Sequence, residues 1–374
     1  MTRFRFLTSG ESHGKCLSAI IEGIVAGIFI DIDFINSELS SRQGGLGRGK
    51  RMEIERDRVK IKSGVRFGYT TGAPICIEIE NIDFKNWEVS MSTFKPESTY
   101  ENEMEIDSKR ITKVRPGHAD FAGVLKYRLS DVRDVLERSS ARNTAIMCAV
   151  GAIAQIVLKK FSIECSHKVL QIGRLSILED TTEEDIIGQI EDAKELGTTL
   201  GGKIEVQIRN VPIGLGSYVH WDRRLDGKIA QAVMSIQGVK AVEIGSGVEC
   251  ASMMGFECQD EIFCSEGGEY YRKTNNAGGI EGGMSNGESI VVKATMKPIP
   301  TMRKPLKSVD IFTREAHLGH FERSDVCAVN ACGVVVKNMV AIVILSEFLE
   351  KFGSDSLVEM EKNFNNYKEN IYEI

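Results

Sequence analysis

Proline is scarce in this chain, seven residues among 374, and the nine cysteines include no Cys-x-x-Cys pair. Nor is there a His-Glu-x-x-His, two histidines four residues apart, or a Gly-x-Gly-x-x-Gly that opens a helix after a strand. These absences argue against zinc and dithiol sites, helical zinc-protease centres and a dinucleotide-binding fingerprint, and no metal site is expected. A basic excess is lacking too. With 47 Lys+Arg against 53 Asp+Glu the net charge is −6, which gives no general argument for nucleic acid. Any anion must therefore be held by a local cluster. The first apolar run, Leu17–Ile30, carries Glu22 and is too short to span a bilayer, so neither a signal peptide nor a membrane anchor is expected there. Odd in number and scattered, the cysteines read as reduced core thiols of a cytoplasmic protein.

Glycine is abundant instead: 36 residues, above the usual share of about 7%. Glycines without prolines suggest backbone brought close to a ligand or another strand. Alternating apolar residues predict strands at Ala73–Asn81, Gly202–Asn210 and Glu288–Pro298. The first two align at an offset of 129, Ile75-Ile77-Ile79-Asn81 on Ile204-Val206-Ile208-Asn210, which raises an internal duplication. Helical periodicity covers Asp33–Arg42, Ser139–Phe161, Glu183–Leu196, Arg223–Ile236 and Val335–Phe352. Asn143–Phe161 is apolar nearly all round, the mark of a helix buried between layers. Layered α/β or α+β architecture follows. No linker divides residues 1–374, so one domain is expected, with a charged tail over about 354–374 that forms a terminal helix or a frayed end.

Few stretches carry chemistry. "GGLGRGKR" (Gly44–Arg51) contains Gly-x-x-x-x-Gly-Lys, but Arg51 stands where a P-loop needs a hydroxyl, and a helix rather than a strand precedes it. Its cations, with Arg42, either face one anion together or form a solvated basic loop. "NNAGGIEGGMSNGES" (Asn275–Ser289) suits either close ligand approach or plain turns. Among the six histidines, His167 and His220 read as structural, and His317 and His320 fall in a loop. His13 in Gly-Glu-Ser-His-Gly and His118 in "KVRPGHAD" stand apart. Both are titratable groups in glycine-permitted loops, the latter bracketed by Arg115 and Asp120. "ERSSARNTA" (Glu137–Ala145) sets two serines and two arginines before a long apolar helix, the makings of an anion site.

The motifs GESHG, SRQGGLGRGK, TTGAPI, RPGHAD, RSSAR, VKAVEIG, GGIEGGMSNGE and KPIPT, in this order between residues 10 and 301, resemble those of the chorismate synthase family. The resemblance implies a layered β-α-α-β sandwich of α+β class, with helices packed between antiparallel sheets, assembled as a homotetramer. It implies a lyase of the shikimate pathway. The reaction would be 1,4-elimination of phosphate from 5-enolpyruvylshikimate 3-phosphate to give chorismate, dependent on reduced FMN without net redox change. NADPH, or a separate flavin reductase, is the implied source of electrons.

The same resemblance assigns roles. His13 would supply a proton to the departing phosphate, His118 would protonate reduced flavin, and Asp325 would handle the proton at flavin N5. FMN contacts carry over to Arg138, Ser139, Ser140, Gln237, Gly238, Gly282, Lys297, Pro298, Ile299, Pro300, Thr301 and Arg323. Arg42, Arg48, Arg115 and Arg142 would bind substrate or NADP. The chain departs from the family pattern at four positions: Asn143 stands for a glutamate, Ser324 for a histidine, and Val326 and Val25 each for a proline. These departures admit an alternative, a weakened paralogue that binds FMN or a phosphorylated shikimate-type ligand without efficient turnover.

Overall fold

Two antiparallel sheets, each laid down in the same strand order, enclose two buried helices. The computed structural model describes residues 4–49, 56–268, 270–322 and 324–373. In the first half, β1 (Arg5–Gly10) and β2 (Cys16–Glu22) form a hairpin. Helix α1 (Ile32–Gln43) leads to β3 (Val59–Ser63) and then β4 (Ile75–Glu80), which inserts between β2 and β3. A long excursion contains α2 (Tyr100–Lys109), α3 (Asp120–Tyr127) and α4 (Arg133–Ser139) before the half closes with α5 (Thr144–Lys159).

The second half repeats the plan. Strand β5 (Glu164–Ile172) is followed by α6 (Glu183–Leu196), β6 (Gly202–Arg209), α7 (Leu225–Met234), β7 (Val239–Ile244) and β8 (Ile290–Met296). Strand β8 inserts between β6 and β7, and α8 (Val329–Phe352) closes the half. Leaving aside a two-residue edge strand, Leu175–Ser176, that pairs with the outer side of β5, the spatial order in both sheets is first, second, fourth, third. The duplication is therefore visible in the topology, but the alignment at offset 129 pairs a fourth strand, β4, with a second strand, β6. Both are inner strands with one face against helices, so the same alternation arises at inequivalent places.

That alternation shows in burial. Ile75, Ile77 and Ile79 of β4 and Ile204, Val206 and Ile208 of β6 are fully buried, facing the helical layer. Almost every residue of α5 and α8 is buried. The stretches Arg133–Lys159 and Val329–Phe352 are long and apolar enough to cross a membrane, yet 83% and 94% of their most apolar windows lie inside the protein. The expected single helix over Ser139–Phe161 is interrupted. Ser140 is extended (φ −59°, ψ 142°), and its hydroxyl accepts from the Arg142 N–H, capping a short 3-10 turn before α5. The charged tail is α9 (Leu357–Asn370), started by Ser356, whose hydroxyl accepts from Glu359 N.

The two closing helices touch at Gly151, where an added Cβ would lie 2.4 Å from Asn338 Cβ and 2.6 Å from Asn338 O. Beside this crossing Glu38 of α1 is buried but satisfied. It accepts from Lys337 Nζ (2.7 Å), Asn338 Nδ2 (2.8 Å) and Gln155 Nε2 (3.2 Å). Gly151→Ala is expected to cost about 1–3 kcal/mol by overpacking this contact. Gly188→Ala, in α6 where a Cβ meets nothing within 4 Å, is expected to stabilise by about 0.4–1 kcal/mol. Urea denaturation of the two variants checks the opposite signs.

Candidate active site

The β1–β2 hairpin turns through Glu11–Lys15, and its entry demands glycine. Gly10 has φ +105°, and a Cβ there would lie 2.3 Å from Cys16 O. The loop is tied down from two sides. Asn81, at the end of β4, donates through Nδ2 to Gly14 O (2.7 Å) and Glu11 O (3.1 Å). Its Oδ1 accepts from Arg142 Nε and Nη2 (3.0 and 2.9 Å), while Arg142 Nη1 donates to Asp57 Oδ2 at 2.6 Å. From the other side Ser12 N donates to Glu137 O (3.1 Å) and Ser140 Oγ to Ser12 Oγ (3.2 Å).

His13 is thereby held nearly out of solvent. Its backbone N–H donates to Glu137 Oε2 (2.7 Å) and its ring Nδ1 pairs with Glu137 Oε1 (2.8 Å). The Trp87 ring stacks on the imidazole, centroids 4.1 Å apart. Arg133, one turn before Glu137 on α4, donates to Glu137 Oε1 (3.0 Å) and to Glu322 Oε1 (3.1 Å). Burial pushes the Glu137 carboxyl up, but the hydrogen bonds from His13 and the charges of His13 and Arg133 bring it below its ordinary value. Glu322 follows the same logic: burial raises it, and His320, Arg133 and His13 hold it at about 2.

A second cluster forms around His118. Pro116-Gly117 turns the chain, with Gly117 at φ +79°, so that Arg115 and His118 both reach Asp120 at the start of α3. His118 Nδ1 donates to Asp120 Oδ1 (2.5 Å), and Arg115 Nε donates to Oδ2 (2.8 Å). Arg115 Nη1 continues to Thr301 Oγ1 at 2.9 Å. Asp120 is fully buried. Burial alone would raise its pKa; the hydrogen bonds from His118 and Arg115, and their charges, hold it well below the carboxylate range.

The strip Lys297–Thr301 runs past this cluster. Lys297 N donates to Gly238 O (2.9 Å), and Lys297 Nζ donates to Gly117 O. Burial, then Lys240, lowers the Lys297 ammonium. Pro298 packs against Gly201, Ile299 O accepts from Thr199 Oγ1 (2.7 Å), and Pro300 lies beside Gly117. Thr301 O accepts from Ser324 Oγ at 2.8 Å.

Next to Ser324, Asp325 takes Arg48 Nη1 (2.8 Å) on one oxygen and Gly49 N (2.6 Å) on the other. Lys50 and Arg51 of the basic loop, and Arg323, lie outside the described residues. Arg42 donates to Thr144 Oγ1 (2.8 Å) and Ala141 O (2.9 Å), and burial lowers it. Its Nη1, 3.8 Å from Asp57 Oδ2, has no hydrogen-bond partner among the described residues.

The remaining sequence candidates divide. Arg138 is exposed and clasps the hairpin through Thr8 and Gly10, and Asn143 Oδ1 accepts from its Nη1 at 2.8 Å. Ser139 bonds back to Leu136 O (3.5 Å). Gln237, beside Gly238, has a buried Oε1 without a hydrogen-bond partner among the described residues. Gly282 sits in a separate hairpin, with Tyr218 and Met284 as its nearest neighbours. Sequence reasoning did not single out Glu137, Arg133, Trp87, Glu322, Asn81 and Asp57. Only the four-residue Arg133–Glu137 spacing was visible beforehand.

Comparisons with known proteins bear on this arrangement. The profile of the family described as chorismate synthase matches residues 4–349. A chorismate synthase of Alkaliphilus metalliredigens is 50% identical over 97% of this chain and 99% of its own length. One from Thermoanaerobacter pseudethanolicus is also 50% identical, over 97% and 98%. A solved structure entitled "Crystal Structure of Chorismate Synthase" superposes with a TM-score of 0.77 at 37% identity, covering 99% of both chains.

The depressed carboxylates set a pH dependence. A group whose pKa falls on folding contributes stability that is complete above its unfolded value and is lost as pH falls through its folded value. For Glu322 that window runs from 4.5 down to about 2. Asp120→Asn strips Arg115 and His118 of their shared charge. It is expected to cost about 3–5 kcal/mol at neutral pH. The deficit should shrink progressively below pH 4, as read by urea midpoints across pH.

Proposed function

The chain belongs to the chorismate synthase family, and on that premise we propose which of its residues carry the reaction. The enzyme is a lyase: it eliminates phosphate from 5-enolpyruvylshikimate 3-phosphate to give chorismate, dependent on FMN. That substrate carries a phosphate and two carboxylates, so cations must be concentrated within a chain of charge −6. Arg48 and Arg115 bind these anions, with Arg42, whose Nη1 makes no hydrogen bond among the described residues, and Arg142 behind them. Loss of phosphate develops negative charge on the leaving oxygen, and His13 supplies the proton there. Its Nδ1 is held by Glu137, and Nε2 is the edge we assign to the substrate. This pairing, with the hairpin held from both sides, is the observation that carries the reading.

The residues present fit a flavin. Gln237 offers a buried acceptor that lacks a hydrogen-bond partner among the described residues, as an isoalloxazine imide N–H would require, and Lys297 N donates to O of the adjoining Gly238. Gln237, Gly238, Gly282, the Lys297–Thr301 strip, Arg138, Ser139, Ser140 and Arg323 would hold FMN. Bound there in its reduced form, FMN would supply transient electron density to the substrate without net redox change. His118 keeps a proton available on a ring that Asp120 anchors through Nδ1. Asp325, held by Arg48 and Gly49, passes on the proton taken from the substrate ring.

The electrons come from NADPH, either directly or through a separate flavin reductase; bleaching of oxidised holoenzyme by NADPH under anaerobic conditions separates the two. One core runs through both sheets and both closing helices, which supports residues 1–374 folding as one domain. Assembly as a cytoplasmic homotetramer follows the family, and exposed Tyr218, Trp221, Phe256 and Tyr270 offer apolar surface for it.

The test is anaerobic phosphate release with reduced FMN and 5-enolpyruvylshikimate 3-phosphate. His13→Ala and His118→Ala are each expected to cut turnover by about 10² or more. Near-wild-type rates in both would refute their roles. Substrate binding without phosphate release by the unsubstituted protein would refute the enzyme itself.

A further inference from the structure

Glu137 has more to do with His13 than anchoring a loop requires. A structural anchor needs one acceptor for the backbone N–H, and Glu137 Oε2 supplies it at 2.7 Å. The second oxygen is spent on the ring, Nδ1 to Oε1 at 2.8 Å, and that same oxygen is gripped by Arg133 Nη1 at 3.0 Å. Arg133 is itself fixed, its Nε on Lys109 O at 2.6 Å. The plane of the imidazole is set independently by the Trp87 stack at 25°. Trp87 Nε1 is held in turn by Asp83 Oδ2 at 3.2 Å. Ring plane, ring edge and loop backbone are thus all defined by packing rather than left to solvent.

We propose that Glu137 is a positioning residue that fixes the protonation of His13: it holds the Nδ1 proton permanently and stabilises the imidazolium, so that the proton given up is the one on Nε2. The inference rests on reading His13 as the acid. A carboxylate accepts only, so a neutral imidazole bonded to it through Nδ1 must carry its proton there. The charge around the ring explains why a carboxylate rather than an amide stands at this place. Arg133 over the Trp87 face (4.7 Å) and Lys109 over the same ring (3.5 Å) oppose a third cation. Glu137 and Glu322 offset them, His320 sits on Glu322 at 3.4 Å, and Glu11 lies on the loop itself. Glu137, buried and with its carboxyl pKa lowered, contacts the imidazole directly at 2.8 Å.

Two measurements test this. In protein labelled with 15N-histidine, the His13 signals, identified by their absence from His13→Gln, should show Nδ1 protonated on both sides of the titration. A neutral form protonated on Nε2 with Nδ1 bare would overturn the proposal without any Glu137 variant. In the anaerobic assay, Glu137→Gln keeps an acceptor for the loop but removes the charge. An acid deprived of its counter-charge loses its proton at lower pH, so the alkaline limb of kcat should move down by about one pH unit. Turnover above that limb should fall about tenfold with KM near wild type, read at a temperature where circular dichroism shows the variant folded. Glu137→Ala should in addition mix the two tautomers. An alkaline limb in Glu137→Gln that matches wild type would reduce Glu137 to an anchor. If His13→Gln retains turnover, the acid assignment falls instead, and the tautomer measurement still decides what Glu137 does to the ring.

Discussion

The crossing of α5 and α8 at Gly151 holds the two halves of the molecule together. Each helix covers the inner face of its own sheet, so the sheets are joined only as closely as the helices approach. A glycine opposite Asn338 allows near backbone contact. Glu38 locks the same point by drawing Lys337, Asn338 and Gln155 onto one carboxylate, joining α1 to both closing helices. A buried pair of this kind adds little net stability against an apolar substitute, but its geometry admits one register of the helices.

Register matters because the site is built where the repeat is interrupted. Both excursions, residues 82–143 and 297–328, leave from a fourth strand and return at a closing helix. They meet each other: Arg115 reaches Thr301, Arg133 reaches Glu322, and Ser308 Oγ donates to Val114 O. The first supplies His118 and the arginine-bearing helix α4; the second supplies Lys297, Thr301 and Asp325. The β1–β2 hairpin adds His13. Most of the cations arrive already paired, Arg115 with Asp120, Arg48 with Asp325 and Arg142 with Asp57. An acidic chain can keep guanidiniums buried in this way until a more highly charged anion competes for them.

Much of this was legible in the sequence, for physical reasons that also mark where reading fails. Alternation in β4, β6 and β8 and the all-apolar α5 follow from burial on one face or all faces, which are local signals. The break at Ser140 was missed because a capping hydroxyl looks the same inside a helix pattern as at its start. Partners such as Glu137, Asn81 and Trp87 lie far along the chain from the loop they define, so spacing says nothing of them. Two departures from the family pattern prove mild in geometry. Asn143 still receives Arg138, and Ser324 spends its hydroxyl on Thr301 O. The expected duplication was real in plan and misplaced in register.

The central claim is that the hairpin and both excursions converge on one substrate. A crystal structure with FMN and 5-enolpyruvylshikimate 3-phosphate bound tests it most directly. In that complex His13 Nε2 is expected within hydrogen-bonding distance of the phosphate ester oxygen, with Nδ1 still on Glu137 and the flavin against Gln237 and the Lys297–Thr301 strip. A phosphate seated away from His13, or a flavin that leaves Gln237 without a partner, would contradict it.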